Sequence, residues 1–240
     1  MIASFFELRY LSILNTPRCT VQLSHYIDHT LLKADAQLEH IQKLCGEAKD
    51  NKFFSVCVNT SYVATCAELL KGSSVKVCCV VGFPLGAMDS ESKALETKTA
   101  IKNGAQEIDM VIHVGALKDR RLDYVKDDIK AVVSAAEGHT VKVIIETALL
   151  NEDDKKLACE AALKAGAHFV KTSTGFGGGG ATVEDVKLMK SVVGDKMQIK
   201  ASGGIKDIAQ ALAMIEAGAS RLGTSSGVAL VRGDKIQGGY

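Results

Sequence analysis

Short, largely apolar runs alternate with longer amphipathic segments from Leu23 towards the end of the chain. Runs such as VKVCCVV and VKVII carry apolar residues on both faces, which is typical of strands that are covered by helices. Eight runs are predicted as strands on this pattern. They span residues 26–28, 53–58, 75–81, 107–112, 141–146, 168–172, 197–201 and 220–223.

The segments between these runs have helical periodicity and residues that begin or end helices. The predicted helix N-caps are Asp35, Ser90, Asn151 and Thr182, the last forming a capping-box pattern with Asp185. The predicted helix ends are Gly104, Gly166 and Gly218, each in the sequence NGA or AGA directly before a strand. Glycine suits this position because the residue after a helix often takes left-handed backbone angles.

Eight strands, each followed by a helical segment, predict a closed parallel α/β barrel of the TIM (β/α)8 type, formed as one domain by residues 21–240. The alternative is an open doubly wound sheet, which should carry a glycine-rich turn after its first strand. The first strand here is followed by HTLLKAD, which contains no glycine, so the barrel is favoured. Its active site is expected at the carboxyl ends of the strands.

The first 20 residues stand apart from this pattern. They are mainly apolar, with Arg9 and Arg18 and with Glu7 as the only acid. This composition meets that of a transit peptide only loosely. We therefore expect residues 1–20 to form a packed or frayed extension, whose role the sequence leaves open.

Charge and cysteine content narrow the expected partners and compartment. Lys and Arg number 29 against 28 Asp and Glu, so the chain has no global field for nucleic acid or an anionic membrane. No apolar stretch reaches the roughly 18 residues that cross a bilayer. The seven cysteines form no C-x-x-C pair and are expected to be free, mostly buried thiols. Free thiols indicate a reducing compartment, so we expect the protein to be cytoplasmic. The six histidines lack metal-ligand spacing, so neither a metal nor another cofactor is expected.

Three charged residues lie inside or at the ends of predicted strands: Asp109 in QEIDMVI, Lys171 in HFVKTST and Lys200 in MQIKASGG. A single strand-end lysine more often reaches outward to water. Three such residues near carboxyl ends favour a catalytic cluster instead. Two inward lysines on adjacent strands, about 4.8 Å apart, should depress the pKa of at least one of them. A neutral amine beside a carboxylate indicates Schiff-base chemistry, with Asp109 moving protons.

Glycine-bearing turns after the last three strands predict an anion site, because exposed backbone N–H groups at helix starts bind phosphate. Tight turns with no ligand are the alternative. The stretch from Gly175 to Gly180 is expected to form a mobile lid or linker that adds N–H groups. The candidate phosphate-binding residues are Gly175, Gly203, Gly204, Lys206, Gly223, Ser225 and Ser226.

These motifs together resemble the class I deoxyribose-phosphate aldolase family, from about residue 23 to residue 240. The segments that carry the resemblance are YIDHTLLK, VCV, VVGFPLG, EIDMVI, KVIIET, FVKTSTGF, KASGGI and GTSSG. The resemblance implies a TIM barrel that reversibly cleaves 2-deoxy-D-ribose 5-phosphate to D-glyceraldehyde 3-phosphate and acetaldehyde. A small phosphorylated sugar is thus the implied partner.

The resemblance also implies roles for individual residues. Lys171 would form the Schiff base, Lys200 would lower its pKa, and Asp109 would shuttle protons with an ordered water. The C-terminal Tyr240 would exchange protons at the methyl carbon of acetaldehyde. The residues implied to lie near the substrate are Cys57, Asp28 and Thr30.

Two positions depart from the family pattern, and alternatives stay open. Phe176 replaces a lysine found after TSTG in longer members, and Lys206 replaces a common arginine. Another Schiff-base aldolase acting on a different phosphosugar would share the two lysines. A non-catalytic phosphosugar-binding barrel would use them only as anion ligands. The sequence also leaves open whether the chain forms a homodimer or a homotetramer.

Overall fold

The computed structural model describes residues 23–234, in which eight parallel strands hydrogen-bond in chain order and close into a barrel. Each strand pairs with the next, and β8 pairs with β1. The strands are β1 Ile27–Leu31, β2 Ser55–Val58, β3 Lys76–Val81, β4 Glu107–Val111, β5 Thr140–Ile144, β6 Phe169–Lys171, β7 Gln198–Ser202 and β8 Arg221–Thr224. The predicted TIM barrel is therefore confirmed.

Helices follow the strands and cover the outside of the barrel. They are α1 Leu38–Asp50, α2 Val63–Leu69, α3 Ser90–Lys102, α4 Val114–Lys118, α5 Leu122–Ala135, α6 Glu152–Lys164, α7 Val183–Val193, α8 Ile208–Glu216 and α9 Gly227–Arg232. Short 3-10 turns lie at Thr60–Tyr62 and Thr147–Leu149. In the part of the chain that the structure describes, no helix has the length and apolar character needed to cross a membrane.

Two of the predicted N-caps are correct and two are displaced. Asn151 and Thr182 cap α6 and α7, each through a side-chain oxygen that accepts a backbone N–H three residues on. The prediction of Ser90 is wrong by one residue, because the Asp89 carboxylate accepts the N–H of Ser92 and α3 begins at Ser90 itself. The prediction of Asp35 is wrong by two, because α1 is capped by Gln37.

The predicted helix-ending glycines are confirmed. Gly104, Gly166 and Gly218 have φ angles of +105°, +81° and +117°. An alanine at these positions would be strained, since L-residues avoid positive φ. Each glycine reverses the chain out of a helix just before β4, β6 or β8.

Some strand boundaries differ from the predicted ones. β1 continues to Leu31, so Thr30 lies in a strand and not in the following loop. β5 ends at Ile144, two residues before the predicted end, because Glu146 adopts left-handed backbone angles. Ser202 ends β7 one residue beyond the predicted run, and Gly223 lies within β8 as the predicted run 220–223 has it.

The two faces of the barrel wall have opposite character. The outer face packs apolar side chains against the helices, while the interior holds charged ones. Cys78 and Cys79 illustrate the alternation, since Cys79 lies in the outer core and Cys78 contacts the interior Asp109. As predicted, the described cysteines are free and buried; these are Cys45, Cys57, Cys66, Cys78, Cys79 and Cys159.

A buried ion pair joins two outer helices to the barrel. Lys93 on α3 donates to the Asp128 carboxylate on α5 at 2.6 Å, and both side chains are fully buried. Lys93 also donates to the backbone oxygen of Val111 at the end of β4. The pair therefore fixes α3 and α5 against the carboxyl end of that strand.

We expect Lys93→Ala to lower the free energy of unfolding by about 3–5 kcal/mol, because it leaves the buried Asp128 carboxylate without its cation. Urea unfolding at pH 7 measures this. The control Lys126→Ala, which breaks the exposed pair with Asp123, should leave stability nearly unchanged. Equal losses in the two variants would contradict the assignment.

Candidate active site

Charged side chains from neighbouring strands converge inside the barrel because strand register places them side by side. Lys171 on β6 is the register partner of Lys200 on β7, and Lys200 is in turn the partner of Arg221 on β8. Asp109 on β4 is the partner of Lys142 on β5. Partners on adjacent strands face the same side of the sheet, so these residues share the interior.

Asp109 is the acceptor around which the cluster is built. Its Oδ2 atom accepts from Lys171 Nζ at 2.8 Å and from Lys200 Nζ at 2.7 Å. Its Oδ1 atom accepts from Lys142 Nζ at 2.8 Å. All four side chains are buried. The structure thus brings together the three residues that the sequence singled out and adds a third lysine.

Lys142 was missed by the sequence reasoning. Its ammonium group also donates to Glu107 Oε2 at 2.6 Å and approaches Cys78 Sγ at 3.4 Å. The signal was present, since Lys142 is the only charged residue in the largely apolar run VKVII. Glu107 and Asp109 are likewise two residues apart on β4 and therefore face the same side.

A second group of charged side chains adjoins Lys200. The sequence reasoning missed two of its members, Arg221 and Glu107. Arg221 Nε donates to Asp28 Oδ1 at 2.9 Å, and its Nη2 lies 2.7 Å from Glu107 Oε2. Asp28 Oδ2 lies 2.5 Å from Lys200 Nζ. The guanidinium carbon stacks 3.3 Å from the ring centre of Phe54. Asp28, which the resemblance placed near the site, therefore links Lys200 to this arginine.

These contacts set the ionisation of the cluster. Burial would raise the pKa of Asp109, but the ammonium groups of Lys142, Lys171 and Lys200 hold it well below its ordinary value. Burial would lower the pKa of Lys200, yet the carboxylates of Asp109 and Asp28 raise it. A depressed pKa, which the sequence predicts for at least one of the two lysines, is therefore not found at Lys200, because two carboxylates lie against its ammonium group.

Cys57 and Thr30, on β2 and β1, are register partners that face the interior beside the charged cluster. The hydrogen bond with Cys78 lowers the pKa of the Cys57 thiol against the opposing effect of burial, and Lys200 lowers it further. Potential metal ligand atoms of Cys57, Cys78 and Asp109 lie within 4.8 Å of one another. This trio does not fit a metal ion, since three ammonium groups already surround the Asp109 carboxylate.

The glycine-rich loops after β6 and β7 pack backbone against backbone. A Cβ atom on Gly180 would lie 2.6 Å from the carbonyl carbon of Gly203 and 2.8 Å from the nitrogen of Gly204. Gly203 and Gly204 have φ angles of +79° and +74°, and Gly175 has +88°. The predicted phosphate-binding turns are therefore one continuous surface at the carboxyl ends of β6 and β7.

The remaining predicted phosphate residues differ in position. Gly223 lies inside the barrel, where its missing Cβ leaves room for Lys200 Cε and Ser202 Oγ. Gly203 and Gly204 lie in the turn that leads to α8, which begins at Ile208 after the Asp207 carboxylate caps it. Lys206 is exposed just before this cap, and its backbone N–H donates to Gln210.

Residues of the turn after β8 stand at the same end of the barrel. Ser225 is exposed, and the half-buried Ser226 precedes α9 while its N–H donates to Thr224 Oγ1. Tyr240 and the N-terminal segment 1–20 lie outside the described residues.

A closed barrel with lysines and a carboxylate at its centre defines an aldolase-type site, and comparison with known proteins agrees. Residues 23–233 match the model of DeoC/LacD family aldolases, and the chain belongs to that family. The resemblance noted from the motifs is thereby confirmed, and the protein is an aldolase.

Individual relatives share this chain's full barrel. It is 78% identical over 220 residues to the deoxyribose-phosphate aldolase of Bdellovibrio bacteriovorus, covering 92% of this chain and 100% of that protein. It is 59% identical to the deoxyribose-phosphate aldolase of Halalkalibacterium halodurans, covering 91% and 98%. The solved deoxyribose phosphate aldolase from Aeropyrum pernix, described as having a unique tetrameric structure, superposes with a TM-score of 0.85. That structure is 32% identical and covers 96% of this chain and 97% of its own.

The ionic contacts of Asp28 predict how stability depends on pH. Burial alone would raise the pKa of Asp28, but Lys200, Arg221 and Lys142 lower it from 3.8. A carboxylate whose pKa is lowered on folding stabilises the native state fully above its unfolded pKa. That contribution is lost as the pH falls below about 4, because the unfolded chain then binds a proton that the native chain does not.

We therefore expect Asp28→Asn to be less stable than the native sequence by about 3–5 kcal/mol at pH 7, since it leaves buried cations uncompensated. The difference should shrink steadily below about pH 4. Urea unfolding at pH 7, 5, 4 and 3, with refolding checked at each pH, measures it. A difference that stays constant from pH 5 to pH 3 would rule out an ionised, charge-paired Asp28.

Proposed function

We propose that this aldolase reversibly cleaves 2-deoxy-D-ribose 5-phosphate to D-glyceraldehyde 3-phosphate and acetaldehyde through a Schiff base on Lys171. The observation that carries the proposal is the sharing of one carboxylate oxygen, Asp109 Oδ2, by the ammonium groups of Lys171 and Lys200. Lys171 ends its strand at the carboxyl face, where barrels of this type hold their substrates. The relatives named deoxyribose-phosphate aldolase support the choice of substrate.

The charged groups around Lys171 are paired with one another. Besides Lys171, the cluster contains three carboxylates and three cations, which balance. These are Asp28, Glu107 and Asp109 against Lys142, Lys200 and Arg221. Imine formation begins when the Lys171 ammonium group gives up its proton beside the Asp109 carboxylate, whose Oδ2 lies 2.8 Å away. A neutral amine is the form that attacks a carbonyl carbon.

The reaction then follows from the placement of the groups. The Lys171 amine adds to the C1 aldehyde of the open-chain sugar, and loss of water gives a protonated imine. The C3 hydroxyl loses its proton and the C2–C3 bond breaks, releasing D-glyceraldehyde 3-phosphate and leaving an enamine. Protonation at C2 and hydrolysis then release acetaldehyde. Asp109, through an ordered water, and Lys200 carry these protons, since both adjoin the Lys171 amine.

The phosphate of the substrate binds at the carboxyl ends of β6 to β8. Backbone N–H groups in the glycine turns supply the hydrogen bonds, with serine hydroxyls and one lysine beside them. The residues assigned to this site are Gly175, Gly203, Gly204, Lys206, Ser225 and Ser226. Gly223 is assigned to the same site, and its missing Cβ also leaves room for the Lys200 side chain. Cys57 and Thr30 line the barrel next to the reacting carbons.

Three further expectations belong to this proposal. Tyr240 exchanges protons at the acetaldehyde methyl carbon. The chain works in the cytoplasm as a homodimer or homotetramer, and nucleic acid and membranes are not its partners. Neither a metal nor an organic cofactor is needed, because the imine itself accepts the electrons released by bond cleavage.

Borohydride reduction tests the nucleophile. With acetaldehyde present, we expect reduction to add a two-carbon group to Lys171 and to abolish turnover, because only an imine-forming amine becomes covalently modified. Peptide mass spectrometry locates the label. Lys171→Ala should lose both labelling and activity while keeping its circular dichroism spectrum.

The matched control is Lys98→Ala, which removes an exposed lysine on α3 and should leave both measurements unchanged. Labelling at Lys200 or Lys142 in the native sequence would overturn the assignment of Lys171. Activity on another phosphosugar that exceeds activity on 2-deoxyribose 5-phosphate would overturn the assignment of the substrate. The absence of any label would favour a barrel that only binds phosphosugars.

The packing of Gly180 tests the phosphate site. An alanine Cβ there would overlap the backbone of Gly203 and Gly204 and must push the two loops apart. We expect Gly180→Ala to weaken competitive inhibition by inorganic phosphate at least about tenfold, since a displacement of about 1 Å is costly at a positioned site. Acetaldehyde labelling of Lys171 should persist.

Gly46→Ala serves as the control, because a Cβ at Gly46 on α1 meets no atom within 4 Å. Unchanged phosphate inhibition in Gly180→Ala would remove these loops from the anion site.

A further inference from the structure

Glu146 is a buried carboxylate at the carboxyl end of the barrel that the reaction described above does not use. It follows β5 by two residues and is only 3% exposed. Its backbone is left-handed, with φ +57° and ψ +67°. Within residues 23–234, no ion pair joins Glu146 to a lysine, arginine or histidine. Left-handed backbone angles at a residue other than glycine persist only where the surrounding structure holds them. A buried carboxylate without a cation likewise needs hydrogen-bond donors around it.

The groups that hold it belong to the loop after Lys171. The Glu146 carboxylate accepts the backbone N–H of Thr174, at 3.2 Å from Oε2 and 3.4 Å from Oε1. It also accepts the Thr174 hydroxyl in a short hydrogen bond. The same hydroxyl oxygen accepts the N–H of Phe176 at 3.0 Å. One carboxylate thereby holds Thr174, three positions beyond Lys171, and through the Thr174 hydroxyl also Phe176.

The loop is shaped to lie against this carboxylate. A Cβ on Gly177 would stand 2.5 Å from Glu146 Cδ, and one on Gly179 would stand 2.6 Å from Ala148 Cβ. Both glycines therefore admit the chain to the turn that carries Glu146. The loop that the sequence predicted as a lid or linker thus contacts the turn after β5 at Gly177 and Gly179, while Phe176 and Gly178 are exposed.

The same loop reaches the phosphate-binding turn on its other side. The N–H of Ala181 donates to the backbone oxygens of Ser202 and Gly203 at 3.0 and 3.1 Å. Gly180 packs directly on Gly203 and Gly204. One short segment, residues 174–181, therefore contacts Glu146 at its start and the turn of Gly203 and Gly204 at its end.

We propose that Glu146 is a positioning residue for phosphate recognition: it holds residues 174–180 so that their backbone meets the turn of Gly203 and Gly204. The inference rests on the proposed function for the phosphate. It separates two parts of the site, because the Lys171 amine is positioned by Asp109 inside the barrel, independently of the loop. Loss of Glu146 should therefore impair binding of the phosphorylated substrate and spare the imine.

Two variants remove the carboxylate in different ways. Glu146→Gln keeps the size of the side chain, and Glu146→Gly removes it while relieving the left-handed backbone. A hydrogen bond to a charged acceptor corresponds to about a 10- to 100-fold change in binding. We expect KM for 2-deoxyribose 5-phosphate and the inhibition constant of inorganic phosphate to rise by about this factor in Glu146→Gly, and by less in Glu146→Gln. Turnover of unphosphorylated 2-deoxyribose and acetaldehyde labelling of Lys171 should change less than about twofold.

Thr174 provides the matched test from the other side of the contact. Thr174→Val should raise the same two constants, and Thr174→Ser, which keeps the hydroxyl, should restore them. Glu146→Gly combined with Thr174→Val should be no worse than the more affected single variant, because both remove one interaction. Thermal unfolding of each variant, followed by circular dichroism, identifies those that fold.

The outcomes separate this inference from the proposed function. Equal losses on the phosphorylated and unphosphorylated sugars, or loss of labelling at Lys171, would show that Glu146 supports the barrel generally and would overturn the inference. Unchanged constants in folded Glu146→Gly would also overturn it. Failure of the native enzyme to label Lys171, or to prefer the phosphorylated sugar, would instead overturn the proposed function.

Discussion

The carboxylate of Asp109 is the constraint on which the centre of this barrel depends. Three lysine ammonium groups, from β5, β6 and β7, donate to its two oxygens. Without that acceptor, three cations would face one another in the buried interior, and each unpaired buried charge costs several kcal/mol. The carboxylate therefore allows lysines to occupy a barrel interior that is more commonly filled with branched apolar side chains.

This arrangement divides the work of the fold between its two faces. The outer face of the strands, packed against the helices, buries the apolar side chains that stabilise the barrel. The inner face can carry charged side chains because the apolar surface buried on the outer face already stabilises the barrel. The cluster is held from below as well, since Arg221 joins Asp28 to Glu107 and stacks on Phe54. Lys171, the proposed nucleophile, thus belongs to a network of buried ion pairs.

Sequence reasoning found the parts of the site that strand ends reveal. Asp109, Lys171 and Lys200 were recognisable because they interrupt apolar runs near the carboxyl face. Lys142 has the same signature in VKVII, yet a single charge in a strand does not disclose which face it occupies. That choice is fixed only when the eight strands close and set the register. The ion pairs of Lys142 could therefore not be predicted from spacing alone.

The fold itself was predictable at the level of units and less so at their ends. Periodicity identified the eight strands. The NGA and AGA sequences identified the glycines that precede three of them. Helix starts depend on which nearby oxygen reaches a backbone N–H, and at α3 that oxygen belongs to Asp89, one residue before the predicted cap Ser90. The end of β5 depends on left-handed angles at Glu146, a non-glycine residue that local preference would not place there.

The chemistry and the recognition of this site rest on different kinds of structure. Lys171, Lys200 and Asp109 project from strands, whose register is fixed by the whole barrel. The turns around Gly175, Gly180 and Gly203 are loops whose shape depends on a few local contacts. If the loops bind the substrate phosphate as proposed, substitutions in them would change the preference for a phosphorylated over an unphosphorylated sugar and leave the Lys171 amine in place. Substitutions of the charged residues on the strands have wider effects, because these side chains share carboxylates and removing one charge leaves its partners without a counter-charge.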